Sequence, residues 1–186
     1  MSLYQLPADL PVPVDDGAAD HLVGLEVPNL ELDSSEGRVD LSELAARLAV
    51  LYVYPATGVS GRPSPDGWDA IPGARGCTPQ SCAFRDHAAE LGELGARVAG
   101  LSGQSLEQQI EFARREHMPF PVVADPELLL RDALALPTFE FGGVTVYKRI
   151  TIVFEAGRIT HCFYPVFPPD RNAEDVVAWL RSRASG

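Results

Sequence analysis

The run Val50-Leu51-Tyr52-Val53-Tyr54 limits the folds open to this chain more than any other segment. Five apolar residues in succession, stopped by Pro55, show no alternation with polar ones, so a strand built from them needs cover on both faces. A sheet held between layers of helices supplies that cover, which points to the α/β class.

The flanking pattern agrees. Leu30-Glu31-Leu32 and Arg38-Val39-Asp40-Leu41, separated by Ser34-Ser35-Glu36-Gly37, read as a hairpin followed by a short helix from Ser42. Arg97-Val98-Ala99-Gly100-Leu101 and Phe120-Pro121-Val122-Val123 read as further strands, with an amphipathic helix between them that Ser105 caps and that runs to about His117. Single helices are expected over about 78–94, 128–136 and 172–183, and an antiparallel hairpin over 150–154 and 159–163 around Ala156-Gly157. Strand and helix in alternation, then a hairpin and a closing helix, is the layout of a thioredoxin-like fold: a central mixed β-sheet flanked by helices. Pro-rich residues 1–24 read as an extended N-terminal arm, and 25–186 as one domain.

Net charge of −11 with no basic stripe argues against nucleic acid and anionic lipid as partners. The apolar runs fall short of the roughly 18 residues that cross a bilayer. Three cysteines cannot all pair, and no apolar run follows a basic N-terminal segment, so a cytoplasmic protein is expected.

Two of those cysteines lie five residues apart in Gly76-Cys77-Thr78-Pro79-Gln80-Ser81-Cys82, where turn-forming residues give way to helix-forming ones. On a formed helix their Cα atoms would be roughly 8 to 9 Å apart. A disulfide tolerates at most about 7 Å, so a bond between them requires the first turn to unwind. Thr78 and Pro79 suit the N-cap and first helical position, which would aim the positive helix end at the Cys77 sulfur. Cys82, more than a turn further in, gains little from that field. Cys77 is thus the expected attacking thiol and Cys82 the resolving one. Fast chemistry also needs donors at the attacked oxygens, and Arg149, just before the apolar strand from Ile150, is the candidate cation.

The stretch Gly76 to Asp86 resembles the active-site helix of the bacterioferritin-comigratory, or PrxQ-type, peroxiredoxins, and Lys148-Arg149-Ile150-Thr151 resembles their arginine-bearing strand. The likeness extends over about 28–180. It implies a thiol-dependent peroxidase acting on hydrogen peroxide and organic hydroperoxides: Cys77 becomes a sulfenic acid, Cys82 condenses with it to an intramolecular disulfide, and thioredoxin or a similar dithiol protein reduces the product. No metal, flavin or haem cofactor is implied, and a monomer suffices because the resolving cysteine is in the same chain.

The sequence departs from that pattern before the cysteine. The family's proline and hydroxyl positions hold Ala70 and Ala74 here, and a long Gly- and Pro-rich segment, 55–76, contains Trp68. Thr57, two residues after Pro55, is the expected replacement hydroxyl, with Ser60 and Ser64 as weaker ones. Loops of this length inside a domain are usually functional or disordered. Cys162, in an apolar strand, is expected to be core. The competing readings are a thiol-disulfide oxidoreductase, which normally spaces its cysteines three apart, and a non-enzymatic redox-sensing or metallochaperone module using the pair as soft ligands.

Overall fold

The run 50–54 forms most of an inner strand, as its unbroken apolarity demands. The computed structural model describes residues 4–59 and 61–184. Its elements are β1 (Glu31–Ser34), β2 (Gly37–Asp40), α1 (Leu41–Ala45), β3 (Ala49–Val53), α2 (Cys77–Asp86), α3 (Ala88–Glu93), β4 (Arg97–Ser102), α4 (Leu106–Arg115), β5 (Val122–Ala124), α5 (Leu129–Leu134), β6 (Thr138–Phe141), β7 (Val144–Tyr147), β8 (Ile150–Glu155), β9 (Arg158–Phe163) and α6 (Asn172–Ala184). Seven strands form one sheet in the order β2-β1-β5-β4-β3-β8-β9, with β3 parallel to β4 and antiparallel to β8.

Alternate side chains of β3 feed two cores. Leu51 and Val53 pack with Leu41 and Leu44 of α1 and Leu130 and Leu134 of α5. Val50 and Tyr52 pack on the opposite face with Phe84 of α2, Leu91 of α3, Phe112 of α4 and Val176 of α6. The Tyr52 ring stacks on Phe84 with centroids 4.4 Å apart, and it lies so close to β4 that a Cβ on Gly100 would stand 2.6 Å from its hydroxyl. Glycine at position 100 is therefore a packing requirement of the cysteine helix. The fold is the mixed, helix-flanked thioredoxin-like sheet that the pattern implied.

Three local readings need correction. Thr78 is not the N-cap and Pro79 not the first helical residue: α2 begins at Cys77, because Gly76 takes the left-handed conformation (φ 103°) and serves as the N-cap without a side-chain bond. Pro79 still falls within the first turn, where a missing N–H loses no intrahelical bond. The single helix over 78–94 is two, broken at His87, whose φ of −95° and ψ of 4° leave the helical region. A hairpin absent from the sequence reading, β6 with β7, stands apart from the main sheet and turns through Gly142 and Gly143, both at positive φ.

Residues 4–24 contain no helix or strand. Leu22 and Ala19 enter the core beneath the sheet, and Asp16 accepts from Lys148 Nζ at 2.6 Å and from the Tyr164 hydroxyl at 2.7 Å. Those bonds hold the Asp16 carboxyl well below the usual carboxylate range. No helix among the described residues is long and apolar enough to cross a membrane.

Candidate active site

The cysteine at the start of α2 and the arginine before β8 meet because the loop ending in Gly76 turns its carbonyls onto Arg149, at the start of β8. Arg149 Nη2 lies 3.3 Å from the Cys77 sulfur, and both side chains are 3% exposed. The same nitrogen approaches the carbonyls of Gly73, Ala74 and Arg75 at 3.2, 3.1 and 3.0 Å, while Nη1 donates to Gln80 Oε1. Every one of those oxygens is neutral. Among the described residues Arg149 forms no salt bridge, so the acceptor able to carry a negative charge beside this buried guanidinium is Cys77. A desolvated cation without an anion is costly, and a thiolate at position 77 relieves that cost.

The orientation of Gln80 is fixed in turn. Its amide nitrogen donates to Asn172 Oδ1 at 2.9 Å, and Asn172 also accepts from the Thr151 hydroxyl at 2.6 Å. With the amide nitrogen committed to Asn172, the amide oxygen faces Arg149. The Cys77 sulfur further contacts the Ala74 carbonyl at 3.6 Å. Where the sequence lost a hydroxyl, Ala74 thus contributes through its backbone.

On its other side Cys77 borders a cavity of about 410 Å³. The 55–76 segment supplies one wall through Val59, Pro63 and Trp68, and the β6–β7 hairpin supplies the facing wall through Phe141, Val144 and Val146. The two walls are joined by Trp68, 8% exposed, whose ring centroid lies 5.0 Å from that of Phe141 in an edge-on contact and 5.9 Å from that of Phe139. Polar residues share the lining with Cys77, among them Thr57, Arg75, Thr78 and Gln104. Arg75 is buried and bonded to Ser64 and, at 3.2 Å, to Asp69. Thr57, 7% exposed, shares the cavity with Cys77, and its hydroxyl and N–H both point to Gln104 Oε1, at 3.1 and 2.8 Å. Ser60 lies outside the described residues.

A cysteine at a helix start, a caged arginine against its sulfur and a cavity open to both walls can be set beside known proteins. The Redoxin family model matches residues 22–177. The chloroplastic peroxiredoxin Q of Sedum lineare is 32% identical over 161 residues, covering 86% of this chain and 77% of that protein. The chain belongs to the redoxin family, in its peroxiredoxin Q group. Among solved structures, peroxidoxin BcpB of Mycobacterium tuberculosis is 26% identical with a TM-score of 0.70, over 87% of this chain and 98% of that one. A PrxQ variant of Xylella fastidiosa, 22% identical, shares the fold with a TM-score of 0.71 over 88% and 98%. This peroxiredoxin is a thiol-dependent peroxidase.

The second cysteine of the peroxiredoxin helix faces elsewhere. Cys82 is half-buried, and its thiol donates to Glu116 Oε2 at 3.7 Å. Burial, followed by the charge and hydrogen bond of Glu116, pushes this thiol up to about 11, against the opposing pull of Arg85. All three cysteines are free. Cys162 sits on β9, at the edge of the sheet opposite Ile152; it packs against the core but is only partly buried, and burial pushes its thiol up to about 12.

Four residues of this region escaped the sequence reading: Gln80, Gln104, Glu116 and Asn172. Gln80 carried a usable signal, since residues three apart on a helix share a face and Cys77 is three residues before it. Asn172 and Glu116 reach the site from distant elements, and nothing in their neighbourhoods marks them.

Proposed function

We propose that this peroxiredoxin reduces hydrogen peroxide and organic hydroperoxides at Cys77 and resolves the product with Cys82. In the first step the Cys77 thiolate attacks the terminal peroxide oxygen; the O–O bond breaks, sulfur becomes a sulfenic acid, and the alkoxide or hydroxide takes a proton and leaves. Arg149 steadies the negative charge before attack and as it spreads onto the oxygens. Thr57 contributes a hydroxyl at the cavity wall. In the second step the start of α2 unwinds and Cys82 condenses with the sulfenic acid, forming the S–S bond and releasing water. Thioredoxin or a similar dithiol protein then reduces the disulfide by exchange.

The observation that carries this reading is the Arg149 cage, in which a buried guanidinium has neutral oxygens and one sulfur for partners. The apolar walls of the cavity favour organic hydroperoxides among the substrates. Both cysteines lie on one helix, so a monomer is sufficient for the cycle, and a disulfide that must be reduced at every turnover suits a reducing cytosol.

Mass mapping after one equivalent of peroxide tests the scheme. The expected products are a Cys77–Cys82 disulfide in the wild type and a sulfenic acid on Cys77 in Cys82→Ser. A Cys77 that stays reduced under those conditions would overturn it.

A further inference from the structure

Glu116 has no part in the cycle described so far, yet this carboxylate is 3% exposed and rests against the second cysteine. It stands at the C-cap of α4, where a negative side chain opposes the helix dipole. Local helix physics therefore disfavours it, and its partners must account for its place. Oε1 accepts from Arg115 Nε at 2.9 Å and from the Tyr4 hydroxyl at 3.0 Å. Oε2 accepts the Cys82 thiol at 3.7 Å and lies 4.0 Å from Arg85 Nη1. Arg85 also donates to the Glu116 carbonyl at 2.9 Å, which ties the last part of α2 to the end of α4.

We infer that Glu116 is a positioning residue that seats the Cys82 thiol, protonated, on the folded helix and thereby sets the rate at which the Cys77 sulfenic acid is resolved. The inference rests on the two-cysteine reading above. In the resolving step the Cys82 S–H bond gives up its proton and its electron pair forms the S–S bond. The Cys77 S–O bond breaks with its pair on oxygen, and the hydroxide takes a proton to become water. Cys77 sulfur is reduced, Cys82 sulfur is oxidised, and no outside reductant enters. Before this can happen, Cys82 must leave its carboxylate partner and ionise.

A carboxylate that accepts from a thiol favours S–H over S⁻, through the hydrogen bond and through repulsion of the charge that ionisation would create. The groups that face the Cys82 sulfur come from four elements. Arg85 and Asp86 belong to its own helix, Glu116 to the end of α4, Tyr4 to the N-terminal arm and Tyr52 to β3. Burial and Glu116 hold the proton on, Asp86 adds to them, and Arg85 alone of the charged groups works against it. A slow resolving step also leaves the sulfenic acid exposed to a second peroxide, which would carry it on to sulfinic acid.

The test is stopped-flow oxidation of Glu116→Gln, following sulfenic acid formation and disulfide closure as separate phases. The variant keeps its neighbours paired, since Arg115 retains Glu111 at 2.6 Å and Arg85 retains Asp86 at 2.9 Å. The first phase is expected to match wild type. Loss of the carboxylate's charge lowers the Cys82 pKa and raises its thiolate fraction at neutral pH, and with the accompanying loss of nucleophilicity the second phase is expected to quicken about threefold. The pH profile of that phase should move to lower pH, and sulfinic acid at excess peroxide should fall. Tyr4→Phe, on the exposed arm, removes a donor from Oε1 and should move the second phase the other way. A second phase with wild-type rate and pH profile in both variants overturns the role of Glu116. Absence of a first phase in the wild type would instead overturn the two-cysteine reading.

Discussion

Arg149 approaches the Cys77 sulfur to 3.3 Å through Nη2, which also meets three backbone carbonyls, while Nη1 donates to the Gln80 amide oxygen. Both terminal nitrogens meet acceptors in fixed directions, while Nε has no partner among the described residues, and a point charge on a flexible stem cannot satisfy those acceptors together. Arg149→Lys should therefore keep the fold and lose about 10²–10³ in the rate constant for peroxide, the range typical of removing one preorganised donor. Stopped-flow Trp fluorescence against hydrogen peroxide measures it. A loss below threefold would remove Arg149 from the mechanism.

Thr57 donates its hydroxyl proton to Gln104 Oε1, so what it offers the cavity is oxygen lone pairs. That suits acceptance of the hydroperoxide O–H, and the N–H of Thr57, which bonds the same Gln104 oxygen, keeps Gln104 in place in a valine variant. Thr57→Val should slow the reaction of Cys77 by about tenfold, the upper end of what one neutral hydrogen bond contributes. Thr57→Ser should restore most of it. Near-normal turnover by the valine variant would end the assignment.

Gly76 couples the cavity to the helix start. Its φ of 103° is disfavoured for side-chain-bearing residues, and a Cβ there would lie 2.4 Å from Pro169 Cγ and 2.9 Å from Leu6 Cδ2. Gly76→Ala should lower stability by about 1–3 kcal/mol from backbone strain alone. Urea denaturation of the reduced protein reads this directly, and an unchanged midpoint would show that the helix start is looser than its packing indicates.

Periodicity and apolar runs made most of the sheet legible, because burial on both faces leaves a continuous mark and burial on one face leaves an alternating one. The pair Cys77 and Cys82 was legible from spacing and Arg149 from its place before a buried strand. The β6–β7 hairpin was also written in the chain: Gly142-Gly143 stands between residues of high strand propensity, the pattern of a two-residue turn. The helix start was misjudged because Thr78-Pro79 carries a stronger capping signal than a glycine whose role depends on positive φ. Glu116, Gln104 and Asn172 left no local trace, since their function arises only when α4, β4 and α6 are folded around α2.

Stability should also report the buried thiols. Cys82 is raised from 9.0 to about 11, so folding favours its protonated form. The associated stability is fully present below pH 9 and is lost as pH climbs through 11. Thermal unfolding of the reduced protein should show a decline over that window that is shallower in Cys82→Ser; parallel profiles for the two proteins would mean that the thiol is not shielded in solution.

The cavity wall makes a sharper statement about substrate than the cysteine does. Hydrogen peroxide is far smaller than a space of about 410 Å³, and it gains nothing from Trp68, Phe141 or Val144. An organic hydroperoxide with an aromatic or branched alkyl body would bury apolar surface against those side chains, at roughly 25 cal/mol per Å² removed from water. Val59 and Val144, 47% and 62% exposed at the rim, extend that surface outward. Trp68→Ala would remove one wall and its edge contact with Phe141 while leaving Cys77, Arg149 and Gln80 in place. The ratio of kcat/KM for cumene hydroperoxide to that for hydrogen peroxide should then fall about tenfold, the effect of losing a contact of roughly 1.4 kcal/mol. Phe141→Ala should act in the same direction, and because Trp68 and Phe141 touch, the double variant should lose less than the two single losses combined. Equal decline for both peroxides would assign the Trp68 wall to structure and leave substrate choice to the polar end of the cavity.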